Sequence, residues 1–383
     1  MTKVLIVSRK SVHKLDDGRS VRICQVYRDI YRGSQITILS LDDTHSGTYP
    51  LDDDMQEICI FNDGISRANA EEDSSYPGRH LRVLSEIERI LKNDYFISIL
   101  VGMMKHSDVV IFEELHMASL ITDRRVEKSL QGKAAAYGAH NVECDLLIDT
   151  PGATVAEKII LESVEKNIAS KYEKIFVCSK SDGDYLGKHS KAEVVFVPNQ
   201  TEKLPQTTPT ERQKNKKMLF GNTNFTVFFV GSNHGPNLEA CDFIIKELCY
   251  TFPNINFVII GSIGYTKLRE HRHFDLKPKN CLLFGFLEEG MKNMVIQASD
   301  AMINPMLTGS GSNIKVLDAI KNNMFLITTE FGMRGYEEGA VECAISGNTK
   351  EAFVETMRRQ IPGGGKHDEN IGNRCHSPVQ SGG

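Results

Sequence analysis

No apolar run in this chain approaches the ~20 residues that a membrane-spanning helix needs, so no such helix is predicted. No C-x-x-C pair occurs either. The nine cysteines, at 24, 59, 144, 178, 241, 249, 281, 343 and 375, are scattered and odd in number. That pattern argues for a reducing compartment and against a structural zinc site, and no metal ligands are expected. Cys178 and Cys281 lie in apolar strand patterns, where a free thiol behaves as a small hydrophobe. An excess of basic charge is also missing. The formal net charge is −5, which sets nucleic acid aside as a partner. After the first strand pattern there is no dinucleotide glycine fingerprint, since Gly18 stands alone in that loop.

What is present is globular. The 383 residues are 40% hydrophobic and 25% charged, enough for two domains with cores of their own. The first ten residues, MTKVLIVSRK, hold a short apolar run that soon meets Arg9 and Lys10. This predicts a buried first strand rather than a signal peptide, and a cytoplasmic location.

The most informative stretch is 304–335. A short strand ends at Asn304-Pro305, and a small-residue turn, Thr308-Gly309-Ser310-Gly311-Ser312-Asn313, leads into a helix over about 314–322. A second strand, 325–328, follows and breaks at Gly332 and Gly335. Small residues before a helix leave backbone N–H groups free to meet an anion, and the helix dipole adds to them, so this is a phosphate cradle. On the helix, Ile314, Val316, Leu317, Ala319 and Ile320 share one apolar arc, with Lys315, Asp318 and Asn322 on the remaining side. Asp318 reads equally as an acceptor for a ligand diol or as a solvated surface carboxylate.

The run Gly309-Ser310-Gly311-Ser312-Asn313-Ile314-Lys315-Val316-Leu317-Asp318 resembles the donor-binding segment of retaining GT-B glycosyltransferases of the family-4 type. The resemblance implies an α/β fold of two Rossmann-like doubly wound domains facing each other across a cleft. It implies a nucleotide sugar, UDP- or GDP-linked, as donor and a glycan or lipid-linked acceptor, with no metal or other cofactor. Asp318 would accept the ribose hydroxyls, and the backbone of Gly311, Ser312, Asn313 and Ile314 would hold the diphosphate. Ser310 stands near the transferred sugar, where many members carry Glu.

Taken in order, residues 3–8 (KVLIVS) read as a buried parallel strand, followed by a polar loop and a helix over about 19–31. By resemblance that loop, with Gly18, faces the donor phosphates; a plain strand–helix connection explains it as well. Further strands are predicted at 35–39, 58–61 and 109–112, with one long helix over roughly 81–102. Its charges are mixed in sign, favouring packing on a sheet, although a peripheral membrane contact stays open. Asp52, Asp53 and Asp54 read as solvated surface rather than a metal triplet. The string Ala139-His140-Asn141-Val142-Glu143 falls where a strand empties at its C-terminal end. Alone, His140 is a hydrogen-bonding histidine as readily as a catalytic one. The resemblance implies that it faces the donor sugar and the leaving phosphate, and that Glu143 caps or orients nearby groups. Either Ser179 or Asp182 is expected to cap the helix after strand 174–178.

Residues 1–199 are thus predicted as an acceptor-side domain and 200–224, polar with two prolines, as the linker. A nucleotide-sugar-binding domain would follow over 225–360, with a glycine-rich tail, 361–383, expected to be disordered. In that second domain a strand at 225–230 runs into Gly231 and Ser232, and by resemblance Gly285 and Phe286 meet the nucleotide base. Three departures from the family pattern stand out: Ser at 310, no Arg/Lys pair between 230 and 240, and no closing helix after 360. Lys315 and Arg334 are then the cations left for the phosphates, and Ser310, Lys315 and His140 the catalytic candidates. A catalytically silent GT-B-like partner and a sugar-nucleotide epimerase are the alternative readings.

Overall fold

The computed structural model describes residues 1–13, 18–62, 81–146, 153–198, 207–233, 235–270, 278–308, 315–334, 336 and 341–361. They form two compact units that divide between Gln200 and Thr201.

The first unit is built on eight strands: β1 (Lys3–Ser8), β2 (Gln35–Asp42), β3 (Gly47–Asp52), β4 (Met55–Phe61), β5 (Val109–Glu113), β6 (Ala134–Ala139), β7 (Lys174–Val177) and β8 (Glu193–Phe196). Their order is β3-β4-β2-β1-β5-β6-β7-β8, parallel throughout except for β3, which pairs antiparallel with β4 at the edge. Both faces of β1 are covered. Leu5 and Val7 pack on one side with Val110, Phe112 and Tyr137, and Val4 and Ile6 on the other with Ile38 and Ile111. Burial on two faces explains why β1 reads as an unbroken apolar run rather than an alternation. Each such aliphatic side chain contributes up to about 1.5–3 kcal/mol.

The second unit carries β9 (Phe225–Val230), β10 (Ile255–Ile260), β11 (Cys281–Leu283), β12 (Ala301–Asn304), β13 (Phe325–Thr329) and β14 (Cys343–Ser346). They lie in the order β11-β10-β9-β12-β13-β14, all parallel. Phe229, Phe257 and Ile303 face one core and Phe228, Val258 and Met302 the other. The predicted pair of parallel-sheet α/β bodies is what the chain forms.

Two local readings need correction. The single helix expected over 81–102 is two, Arg82–Leu91 and Asp94–Met104. The Asn93 side chain accepts from Phe96 N–H at 3.0 Å and starts the second helix afresh. The stretch 200–224, expected as linker, contains the helix Pro209–Phe220. Thr208 and Glu211 form its capping box, Pro209 opens it, and Gly221 closes it in the left-handed region at φ 70°. Lys216 on this helix pairs with Asp300, which ties the helix to the second unit. The tail 362–383 lies outside the described residues. At the helix Lys180–His189 the cap is Ser179, which accepts from Asp182 N–H at 3.1 Å.

Candidate active site

In the first unit the connections lead away from β1 and β5 in opposite directions, so these neighbours mark the switch point of the sheet. Ligands of doubly wound sheets bind outside the carboxyl ends of the strands at such a point. Arg9 follows β1 there, Glu113 ends β5 and Glu114 comes next; His140 follows β6 one strand over.

Glu114 has φ 61°, the left-handed region that a non-glycine residue enters at a cost of order 1–3 kcal/mol. What holds it is Arg9, whose Nε donates to Glu114 Oε2 at 3.2 Å while its Nη1 donates to Glu86 Oε2 at 2.7 Å. Burial alone would raise the Glu114 pKa, but the Arg9 guanidinium, then His116, His140 and Arg19, hold it well below the usual carboxylate range. Glu86 is lowered in the same way, burial being outweighed by Arg9, His116 and Arg82. His116 Nε2 lies 3.4 Å from Glu86 Oε2. Burial, then Arg9, pushes His116 down to about 4 against the pull of both glutamates, so the ring is neutral at pH 7. A neutral ring with its proton on Nε2 leaves Nδ1 as a bare acceptor, which fits the absence of a hydrogen-bond partner for that buried atom among the described residues.

The second half of the cluster is a chain of three side chains. The Tyr27 hydroxyl donates to Glu113 Oε1, and Glu113 Oε2 bonds His140 Nε2. A carboxylate on Nε2 fixes the ring and its tautomer and leaves Nδ1 as an acceptor. The His140 carbonyl accepts from Cys178 Sγ at 2.9 Å, which anchors the backbone as well. Gly138 makes the arrangement possible. A Cβ there would overlap Glu113 Oε1 and come within 2.7 Å of the Tyr27 hydroxyl.

Glu143 was expected to cap or orient nearby groups; the capping carboxylate is instead Glu165. It accepts from the N–H groups of Glu143 at 2.8 Å and Cys144 at 3.1 Å, where the helix Glu143–Leu146 begins. Glu143 itself is pushed up to about 8, first by burial and then by Glu165 and Glu114. Burial likewise lifts Glu165 to about 7.

In the second unit the switch point lies between β9 and β12. Gly231 and Ser232 leave β9 there: the Gly231 carbonyl accepts from Ile263 N–H at 3.3 Å, and Ser232 receives both its bonds from Asn237 Nδ2. Gly261, at φ 107°, donates to the Gly285 carbonyl at 3.1 Å, so the loop ends of β9, β10 and β11 are tied together. Phe286 beside it is 70% exposed. Lys315 opens the helix Lys315–Lys321, with its Nζ 5.8 Å from the centre of the Phe229 ring. Burial lowers it to about 8 even though Asp318 pulls upward. Asp318 Oδ1 accepts from Lys292 Nζ at 3.2 Å. Lys292 belongs to the helix Glu289–Ala298 and did not figure in the sequence reading.

Of the expected site residues, His140, Gly231, Ser232, Gly285 and Phe286 follow strand ends, and Lys315 and Asp318 lie in the first turn of the helix Lys315–Lys321. Gly18 opens the helix Gly18–Ile30. Ser310, Gly311, Ser312, Asn313 and Ile314 lie outside the described residues. The sequence reading missed Arg9, Tyr27, Glu86, Glu113, Glu114 and His116. The one local signal was the Glu113-Glu114 pair placed directly after an apolar strand. A metal-type donor set was also missed, since His13, Glu57 and Cys59 bring ligand atoms within 4.8 Å of one another.

No family model matches the chain. An uncharacterized 44.6 kDa protein in the cps region of Klebsiella pneumoniae is 26% identical over 212 residues. That match takes in 52% of this chain and 50% of the relative, so the alignment spans about half of its length. Solved structures agree over far more. The catalytic domain of starch synthase IV from Arabidopsis thaliana, bound to ADP and acarbose, superposes at TM-score 0.63 and 12% identity, covering 97% of this chain and 93% of its own. HepE of Anabaena, in complex with UDP and glucose, gives 0.65 and 13% over 95% and 90%. WaaG, a glycosyltransferase involved in lipopolysaccharide biosynthesis, gives 0.59 and 13% over 93% and 90%. Likeness at that identity speaks for architecture, and the architecture of this chain is the GT-B fold of glycosyltransferases.

Proposed function

We propose that the protein is a glycosyltransferase that moves a sugar from a UDP- or GDP-linked donor to an acceptor hydroxyl, with retention and without a metal at the reacting centre. The observation that carries this reading is His140, held by Glu113 at the switch point of a GT-B-fold sheet. In this account the second unit takes the donor. Asp318 accepts the ribose hydroxyls, Lys315 meets the diphosphate, and the backbone of 311–314 completes the cradle. The bond from the anomeric carbon to the phosphate oxygen breaks, a bond to the acceptor oxygen forms, and the acceptor proton passes to the leaving diphosphate. His140 Nδ1, left as an acceptor by the bond from Nε2 to Glu113, receives a hydrogen bond from a hydroxyl of the transferred sugar in that step. Fold neighbours solved with UDP favour a UDP-linked donor, and a relative from a cps region favours a glycan or lipid-linked acceptor in polysaccharide synthesis.

The test is release of nucleotide from a panel of UDP- and GDP-sugars in the presence of oligosaccharide and lipid-linked acceptors. His140→Ala is expected to lower kcat by about 100-fold or more while the donor KM changes little. Absence of turnover with every donor, or an unimpaired His140→Ala variant, overturns the reading.

A further inference from the structure

Away from the switch point, the loop after β1 meets β4 through a compact set of polar atoms. His13 Nδ1 lies 3.1 Å from Glu57 Oε2 and 3.9 Å from Cys59 Sγ. Ser11 Oγ lies 2.6 Å from that nitrogen, 3.2 Å from the same carboxylate oxygen and 3.4 Å from the sulfur. An ion held tetrahedrally by N, O and S ligands at about 2.0–2.3 Å sets those ligands about 3.3–3.8 Å apart. These separations run from 2.6 to 3.9 Å, and ligand atoms of His13, Glu57 and Cys59 lie within 4.8 Å of one another, so side-chain shifts of about 1 Å bring the donors to that spacing.

Charge points the same way. Glu57 is fully buried, and among the described residues its one ion-pair partner is His13. A buried carboxylate without a permanent cation is costly. A divalent ion bound by one carboxylate, one thiolate and a neutral imidazole leaves the site with no net charge. The competing explanation is that Glu57 simply anchors the loop, because Oε1 accepts from Val12 N–H at 2.7 Å and Ser40 Oγ at 2.6 Å, and Oε2 from His13 N–H at 2.8 Å. Those bonds use both sites on Oε1 but only one on Oε2. The second site on Oε2 is shared by two long contacts, from Ser11 Oγ and His13 Nδ1, and is where an ion would bind. The His13 ring is held for the task by Tyr49 of β3, which stacks on it at 4.0 Å with an interplanar angle of 11°.

We propose that His13, Glu57 and Cys59 bind a divalent transition ion of the zinc class, with Ser11 or water as fourth ligand, clipping the loop after β1 onto β4. Binding displaces the Cys59 thiol proton and any proton on His13 Nδ1, so affinity falls with pH.

The full chain, freed of metal by a chelator, is titrated with Co(II) and separately with Zn(II). One equivalent of Co(II) is expected to give the thiolate-to-cobalt charge-transfer band and the intense visible bands of a tetrahedral ion. Cys59→Ser loses the charge-transfer band, and His13→Asn at the partly exposed ligand weakens binding about tenfold or more. Zn(II) raises the unfolding temperature of the wild type and not of Cys59→Ser. Failure to bind either ion, or a charge-transfer band that survives in Cys59→Ser, overturns the proposal.

Discussion

Replacing Arg9 by Met removes the one cation that meets both Glu86 and Glu114. Side-chain exposure is 18% for Arg9, 7% for Glu86 and 12% for Glu114, so water replaces little of what is lost. After the change Glu86 keeps Arg82, itself 74% exposed, and His116; Glu114 keeps no ion pair among the described residues. Removing one partner of a buried pair costs about 3–5 kcal/mol, and the partial exposure of Arg9 favours the lower end, about 3. Both carboxylates have folded-state pKa values below their ordinary value. Their contribution is therefore complete above that value and disappears as pH falls through the folded one. In Arg9→Met burial acts on Glu114 with its largest opponent gone and raises it, so the variant relieves itself by taking up a proton in mild acid. The loss is expected to be larger at pH 8 than at pH 5. The chain contains no tryptophan, so denaturant titrations followed by far-UV circular dichroism are the assay, read on the transition of the first unit. A loss below about 1 kcal/mol at pH 8, or one equal at both pH values, would mean that the network behaves like a surface ion pair, and the reasoning fails.

Gly138→Ala places a Cβ on the Glu113–Tyr27 contact, and the misfit is expected to cost about 1–3 kcal/mol in thermal unfolding, whereas Gly187→Ala, with 3.7 Å of room, costs less. Glu143 lies above its unfolded pKa, so the stability it contributes is full below about 4.5 and disappears as pH rises to about 8. Wild type is therefore expected to lose stability, on the order of a few kcal/mol, between pH 5 and 8, and Glu143→Gln to lose less. Parallel pH profiles from denaturant titrations would refute this. Lys315, lowered to about 8, gives up its charge above that pH, and nucleotide affinity is expected to fall between pH 7 and 9 in wild type but not in Lys315→Met, as calorimetry can read.

Strands such as β1 and β9 were legible because burial on both faces forces an unbroken apolar string. The helix Pro209–Phe220 was not, since its sequence, PTERQKNKKMLF, carries almost no apolar face and its caps decide it. The break at Asn93 likewise rests on one side-chain hydrogen bond within an apolar-rich stretch. His140 could be placed from the sequence because it follows a strand. Its partners could not, because Tyr27 and Glu113 join it from 113 and 27 residues away, and no local periodicity records a contact over that range. The pairing of Lys292 with Asp318 is illegible for the same reason.

Nucleotide binding by the second unit is the most direct test of the transferase reading. Calorimetric titration of UDP and GDP, without added metal, is the measurement, made on wild type, Asp318→Ala and Lys315→Met. One nucleotide is expected to bind in the micromolar range, with each substitution weakening it by about 1–3 kcal/mol. Binding of neither nucleotide, or binding untouched by both substitutions, would contradict the donor site and the transferase reading with it.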